Sequence, residues 1–544
     1  MSKLKTYITL FIIIIVATTL RLYHNTEISL WHDEAFSGLL IKYPWSEMMY
    51  RIGLDVHPPM YYIALRGWAY IFGDSLLALR GFSVFFGVTT VLAAYAFVKT
   101  AFKSNAAALI ASLLIAINPF QIQYATEARM YTFGAFFALL AAYFLVKALQ
   151  TKEDGLPAIA SATVGRIKQE YLYFVFFALS ISVTILTHYY LLFIAVALCF
   201  YALCYHIYYY QRNIKPYIPL LLSFVIVIVS FLPWVKIFIF QYKQVGSGYW
   251  IPPMDKWSIP TTLWQILIGI EKDINQYSTQ VWVTLATAFT IFLMYRFLKK
   301  TNSPHKWLAL LAFLAPFAGA ILFLILAKLK GQESSVYLVR YFLFSSAFLS
   351  IMIAVWLTTL KAKWLTCLLL TAYCLLNFFA FSRYWHKLDI GSKLGMNKAA
   401  LFIQNNVSAV DKLYVGSSFE FFNLKYYIHE ADNSPDDILN RYSRRSKVYE
   451  PPRMPIPKLF SNGNTSIKNL PHFAGTAILT DQDLLPDFNK EVTPGGTVWL
   501  LWTNGFGGSK PETPKSWEQL GEWSFAEVRP YVGTWIIITQ YQVK

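Results

Sequence analysis

The sequence predicts a mainly α-helical, polytopic membrane protein of about eleven transmembrane helices, followed by an α/β domain outside the membrane. Three observations predict it. Apolar runs recur through the first 380 residues, and a helical span needs about 20 apolar residues, with a range of about 17–25. The short segments between the runs alternate in charge, as the positive-inside rule requires. The composition then changes near residue 388, beyond which no run is long enough to span. The totals agree: 56% of the 544 residues are hydrophobic, 14% are charged and 18% are aromatic, values outside the soluble-globular range.

In chain order the spans fall near 6–22, 80–98, 106–120, 130–147, 171–187, 189–208, 217–235, 280–297, 307–327, 338–359 and 364–381. The first follows Lys3 and Lys5 and lacks a small-residue cleavage site, so it reads as an uncleaved signal anchor. The stretch 58–73 is apolar but short, begins His57-Pro58-Pro59 and contains Arg66, which fits a helix lying in the membrane interface. With the N-terminus cytoplasmic, the inner segments hold Lys99 and Lys103, then Lys147, Lys152, Arg166 and Lys168, then Arg212 and Lys215. Arg296, Lys299, Lys300, Lys306, Lys361 and Lys363 continue the pattern. Only the inner segment 148–170 carries acids, Glu153, Asp154 and Glu170. The outer segments hold Asp33, Glu34, Glu47, Asp55, Asp74, Glu127, Asp255, Glu271, Asp273 and Glu333. An odd number of spans leaves the C-terminal tail outside.

Residues 1–385 thus form the spanning domain, with a large outer loop at 23–79, and residues 386–544 a C-terminal extracytoplasmic α/β domain. In the latter, Ala399–Asn406 and Phe419–Ile428 read as helices. Lys412–Gly416, Thr476–Thr480, Thr497–Trp502 and Trp535–Gln540 read as strands, and 430–470 reads as a long loop. There are no internal repeats.

The composition excludes some functions. A net charge of +17 would suit a nucleic-acid binder, but the basic residues recur in short clusters between apolar runs, so no nucleic-acid partner is expected. Cys199, Cys204, Cys367 and Cys374 all lie in apolar runs without metal-site spacing. No Walker A, HExxH or GxSxG pattern is present, and Gly505-Phe506-Gly507-Gly508 reads as a turn.

Five short segments carry candidate chemistry, all on the predicted outer side. In Trp31-His32-Asp33-Glu34-Ala35-Phe36, two adjacent acids meet the membrane face. A lone acid there would serve as partner of a helix N-terminus, but an adjacent pair flanked by Trp31 and Phe36 suits a general base working on a substrate that arrives through lipid. Asp55-Val56-His57-Pro58-Pro59-Met60-Tyr61-Tyr62 places Asp55 and His57 before a proline-stiffened helix start; the histidine would bind phosphate or metal, or cap. Glu127-Ala128-Arg129-Met130-Tyr131 offers an arginine fork for a lipid phosphate, or a local ion pair. Thr187-His188-Tyr189 and Val339-Arg340-Tyr341 end the series, with Lys328 and Lys330 near the latter; these lysines would line a phosphate edge or snorkel to headgroups.

These segments, in this order and together with Leu79-Arg80-Gly81-Phe82-Ser83, resemble the GT-C superfamily of membrane glycosyltransferases. The similarity is to bacterial family-39-like members, relatives of protein O-mannosyltransferases and aminoarabinose transferases, and covers roughly residues 5–380. The resemblance implies an inverting transfer of a hexose or pentose from a polyprenyl-phosphate donor to an acceptor hydroxyl on a glycolipid, polysaccharide or protein. It would occur at the outer face of the bacterial cytoplasmic membrane, in service of the cell envelope. It implies Asp33, with Glu34 beside it, as catalytic base. Asp55, His57, Tyr61, Glu127, Arg129, Tyr131, His188, Tyr189, Arg340 and Tyr341 would bind substrate, with Arg129 and Arg340 on the departing phosphate. The sequence departs from the aminoarabinose-transferase pattern at Val56 and His57, where those enzymes carry an acid and a lysine. A divalent metal is therefore compatible but not specified, and no other cofactor is implied. From other classes, a transporter or flippase of lipid-linked sugars is the rival reading, with an inactive scaffold behind it. A transporter more often shows repeat symmetry and intramembrane charges, whereas here the acids gather at one face.

Overall fold

The structure, a computed structural model, describes residues 2–150, 160–211, 213–246, 251, 253–269, 274–331, 335–388, 395–408, 410–416, 418–428, 446–448, 454–455, 469–470, 492–505, 510–527 and 534–544. Lys152, Glu153, Asp154, Arg212, Glu271, Asp273, Glu333, the predicted strand Thr476–Thr480, residues 506–508 of the glycine turn and most of the 430–470 loop lie outside the described residues. The chain divides into two compact units: residues 1–23 with 80–383, and residues 24–79 with 384–544. The loop 24–79, grouped with the spans in the sequence reading, thus packs with the C-terminal segment.

The first unit is helical. Among the described residues, nine helices are long and apolar enough to cross a membrane, and ten if the bent pair Asn105–Ile117 and Pro119–Ala125 is one span. The fifth predicted span, at 171–187, corresponds to the shorter apolar stretch Gln169–Ile185. Lys3–Leu22, Tyr277–Lys300 and Lys363–Arg383 expose most of their apolar side chains, as lipid-facing helices do. The helix Leu343–Thr358 is the opposite case: every residue from Leu343 to Leu357 is buried, so it forms the centre of this unit.

The bent pair shows how sequence sets a break. Pro119 cannot donate to the ladder, and the two halves meet at 58°. The carbonyls freed at the end of the first half need donors. Arg21, fully buried, supplies them: Nη1 donates to Ala116 O at 2.9 Å and Nη2 to Ile115 O at 3.1 Å. A cation at a helix C-terminus also opposes the helix dipole. Asn118 caps the second half, its Oδ1 accepting from Gln121 N at 3.1 Å, while its Nδ2 donates to Ile266 O at 2.9 Å. Gly269 ends the neighbouring helix Ser258–Ile268 with φ +73°, and a Cβ there would fall 2.6 Å from Pro119 Cβ. Arg21→Ala should orphan two buried carbonyls at a cost of about 1–3 kcal/mol each. Thermal unfolding of the detergent-purified protein checks this; an unchanged midpoint would show that the carbonyls find other donors.

The second unit is built on a five-stranded mixed sheet. Its order is Ser446–Val448, Lys412–Val415, Thr497–Thr503, Thr534–Val543 and Trp517–Glu527. The first three strands run parallel and the last two pairings are antiparallel. Tyr414, Val498, Leu500, Tyr541 and Val543 form a buried cluster on it. The predicted elements at 399–406, 412–416, 419–428, 497–502 and 535–540 are present as Met396–Asn406, Lys412–Val415, Ser418–Ile428, Thr497–Thr503 and Thr534–Val543. Trp517–Glu527 is a strand the sequence reading did not name; its exposed positions are mostly polar, and a bulge between Gln519 and Gly521 interrupts its alternation. The early loop joins this unit through helices His32–Leu40, Trp45–Leu54 and Met60–Phe72. Phe36 meets Phe422 at 6.2 Å between ring centroids, Leu30 N donates to Tyr427 Oη at 2.7 Å, and Tyr426 Oη donates to Asp74 O at 2.9 Å. In Met60–Phe72, Arg66 donates inward to Tyr43 O, whereas Tyr70, Ile71 and Phe72 are exposed at its end.

Candidate active site

The candidate residues fall into two groups, one in each unit, and each group has an internal geometry of its own.

In the second unit, Trp31-His32-Asp33-Glu34 starts the helix His32–Leu40, where the N-terminal dipole favours negative charge. The two acids differ. Glu34 is fully buried, and its Oε2 accepts from Trp31 N at 3.4 Å, closing the start of its own helix. Asp33 keeps 19% of its side-chain surface and lies 3.2 Å from His32 Nε2. Of the two, Asp33 is the carboxylate that a substrate can reach. The helix carrying it rests on the helix Ser418–Ile428, so the C-terminal segment supports the acid.

Asp55 follows the helix Trp45–Leu54 and is buried. His57 Nδ1 lies 2.9 Å from Asp55 Oδ2, and Tyr62 Oη donates to the same oxygen at 3.4 Å. A carboxylate accepts only, so the imidazole presents an N–H at Nδ1. Pro58 and Pro59 precede the helix Met60–Phe72, where a missing N–H costs nothing. Tyr61 and Tyr62 are both fully buried. Tyr62, which the sequence reading passed over in favour of Tyr61, is the one bonded to Asp55. It also meets Phe36 edge-on at 6.1 Å, tying this segment to the helix of Asp33.

In the first unit, a cluster of rings draws three separate segments together. Tyr131 lies 6.3 Å from His188, and His188 lies 4.6 Å from Tyr341, between centroids. Tyr124 and Phe344 extend the cluster against Tyr131, and Tyr190 against Tyr341. His188 Nδ1 accepts from Tyr190 N at 3.1 Å, so the ring proton of the neutral imidazole is on Nε2. Arg129 and Arg340 each sit one or two positions before a ring of this cluster. Arg129 is buried: its N–H donates to Glu127 O at 2.8 Å, and its carbonyl accepts from Ser83 Oγ at 3.2 Å. Arg340, half-buried, lies on the 3₁₀ turn Val339–Phe342. Tyr189 points elsewhere: it donates to Gln241 Oε1 and accepts from Trp234 Nε1 at 2.9 Å. Gln241 and Trp234 escaped the sequence reading; the signal was a glutamine following the apolar run 237–240. Lys328 and Lys330 are exposed, and Lys330 Nζ donates to Tyr242 Oη at 3.2 Å.

Among the described residues, no group of three or more His, Cys, Asp or Glu side chains is placed to hold a metal ion. Asp55 and His57 supply two such groups, each already engaged with the other.

The family model for dolichyl-phosphate-mannose-protein mannosyltransferases matches residues 56–235. That stretch includes His57, Glu127, Arg129, Tyr131, His188 and Tyr189, and leaves Asp33 and Arg340 outside. No curated protein matches the sequence. Among solved structures, ArnT from Cupriavidus metallidurans in the apo state is similar, with 12% identity, 97% of each chain covered and a TM-score of 0.55. The same protein bound to undecaprenyl phosphate gives 13% identity, 97% of each chain and a TM-score of 0.53. The family match covers about a third of the chain, and the two ArnT structures share its fold. That agrees with the resemblance carried by the motifs.

Proposed function

We propose that this chain transfers a sugar from a polyprenyl-phosphate donor to an acceptor hydroxyl at the outer face of the bacterial cytoplasmic membrane, with inversion. The observation that carries this reading is the contrast between the two acids: Glu34 is spent on its own helix, and Asp33 is partly exposed beside His32. Asp33 accepts the acceptor's hydroxyl proton as the oxygen attacks the anomeric carbon. The bond from that carbon to the phosphate oxygen breaks, and the electron pair leaves on polyprenyl phosphate. A phosphate leaves without strong protonation, so cations matter more than an acid. Arg129 and Arg340 meet the growing charge, and His188, with its Nε2 proton, donates to it. Asp55 orients His57 toward the donor phosphate. Glu127, Tyr131 and Tyr341 line the path of the sugar and lipid, and Tyr189, engaged with Gln241 and Trp234, braces the segment that carries His188. The match of an undecaprenyl-phosphate-bound ArnT to the fold supports the lipid class of the donor. The N-terminus is cytoplasmic and the C-terminal domain extracytoplasmic in this reading.

The test is a panel of polyprenyl-phosphate sugars offered to purified protein in nanodiscs with candidate acceptors. Turnover of one donor class, with release of polyprenyl phosphate, is expected. Movement of donor across vesicles without any cleavage would overturn the reading in favour of a flippase.

A further inference from the structure

The second unit holds a buried polar pocket that the proposed transfer does not use. It lies where the helix Ser418–Ile428 meets the ends of three strands. Glu420 is 2% exposed, Asn423 3% and Glu527 7%. Asn423 and Glu527, with Ser29, Gly395 and four apolar residues, line a cavity of about 10 Å³, close to the room one water-sized particle needs, and Glu420 is hydrogen-bonded to Asn423 beside it. We propose that Glu420, Asn423 and Glu527 bind one hard divalent cation, of the calcium class, inside this unit.

The first argument is that acceptors outnumber donors. Glu527 Oε2 accepts from Thr503 Oγ1 at 3.3 Å and from Thr534 Oγ1 at 2.8 Å. The Asn423 side chain is hydrogen-bonded to Glu420, which requires its amide N–H to face the carboxylate. That leaves Asn423 Oδ1 buried with no hydrogen-bond partner among the described residues, and Glu420 Oε2 likewise. Turning the amide over would only set oxygen against oxygen. A buried acceptor without a donor costs about 1–3 kcal/mol, and a cation satisfies all of these oxygens at once.

Charge gives the second argument. Glu420 and Glu527 are two buried acids beside one pocket, and buried charges persist only when paired or bound to a metal. Lys425 is also buried on this helix. It lies five residues from Glu420, about 140° around the helix, whereas Asn423 lies about 60° away. The lysine therefore does not share the face that the acid and the amide present. Ligand type gives the third argument: carboxylate and amide oxygens without imidazole or thiolate suit a hard cation, and calcium tolerates irregular oxygen sets completed by water. The pocket also spares room for the carboxylate. A Cβ on Gly505 would stand 2.6 Å from Glu527 Oε2 and 3.0 Å from Thr534 Oγ1.

The test uses full-length protein in detergent, stripped with EGTA and titrated with CaCl2 while thermal unfolding is followed; equilibrium dialysis counts bound calcium. A saturable rise in Tm with one ion per chain is expected. Glu420→Gln should weaken the apparent affinity at least about tenfold, and Asn423→Asp, which adds charge, should strengthen it, because ligand charge sets affinity in calcium sites. If Glu420→Gln does not fold, dialysis on Asn423→Asp still decides. The proposal is overturned if neither calcium nor magnesium shifts Tm. It is equally overturned if the shift survives intact in Glu420→Gln, or if acidification alone stabilises the protein and no metal binds.

Discussion

Asp33→Asn is expected to lower the transfer rate by about 10²–10⁴-fold, the range for losing a general base, while donor binding stays within a few-fold. The substitution keeps the side chain's shape and its ability to sit beside His32, 3.2 Å away. It removes the negative charge and with it the capacity to take a proton. Turnover with a competent donor, read beside donor binding on the same preparation, separates the two effects. Glu34→Gln is the matched control. Its carboxylate is fully buried and bonded to Trp31 N, so its loss should act on the start of the helix and on stability. Asp33→Asn turning over as fast as wild type would remove Asp33 as base. A collapse in Glu34→Gln at unchanged Tm would transfer the role to Glu34.

The adjacency of these two acids was legible in the sequence; their division of labour was not. Neighbours on a helix point about 100° apart, so one of any adjacent pair near a packed face tends to be buried. Which one depends on where the rest of the unit lies, and here that is the helix Ser418–Ile428, almost 400 residues later. The same limit explains Tyr61 and Tyr62. Both are in the motif, but the bond to Asp55 follows from the direction of the helix after Pro59. Spans were legible because membrane-length apolar runs are a one-dimensional signal. The strand Trp517–Glu527 was not, since its bulge and polar edge blur the period of two. Arg21 shows a third kind of loss. Nothing in the sequence singled it out within the first apolar run. Its actual task, holding the carbonyls before Pro119, depends on a contact between elements 95 residues apart.

Arg340→Ala is expected to lower kcat by about 10²–10³-fold, the range seen when one preorganised donor to developing charge is removed, with a smaller change in KM. In the proposed reaction the leaving phosphate gains charge as its bond to the sugar breaks. A cation aimed at that oxygen therefore binds the transition state better than the ground state. Arg340 suits the task better than Arg129 as a test position. It is half-buried on the 3₁₀ turn Val339–Phe342, and Tyr341 beside it is fixed against His188 at 4.6 Å. Arg129 is buried with its backbone clamped by Glu127 and Ser83, so its removal should cost stability along with rate. Arg340→Lys keeps the charge and loses the planar fork, and should recover only part of the rate. A merely structural arginine would behave otherwise: Arg340→Ala would lower Tm and the active fraction, leaving kcat per folded molecule intact. Measuring kcat on the folded fraction, with the lysine variant alongside, therefore tests whether the guanidinium meets the departing phosphate. An equal kcat in all three proteins would remove Arg340 from the reaction.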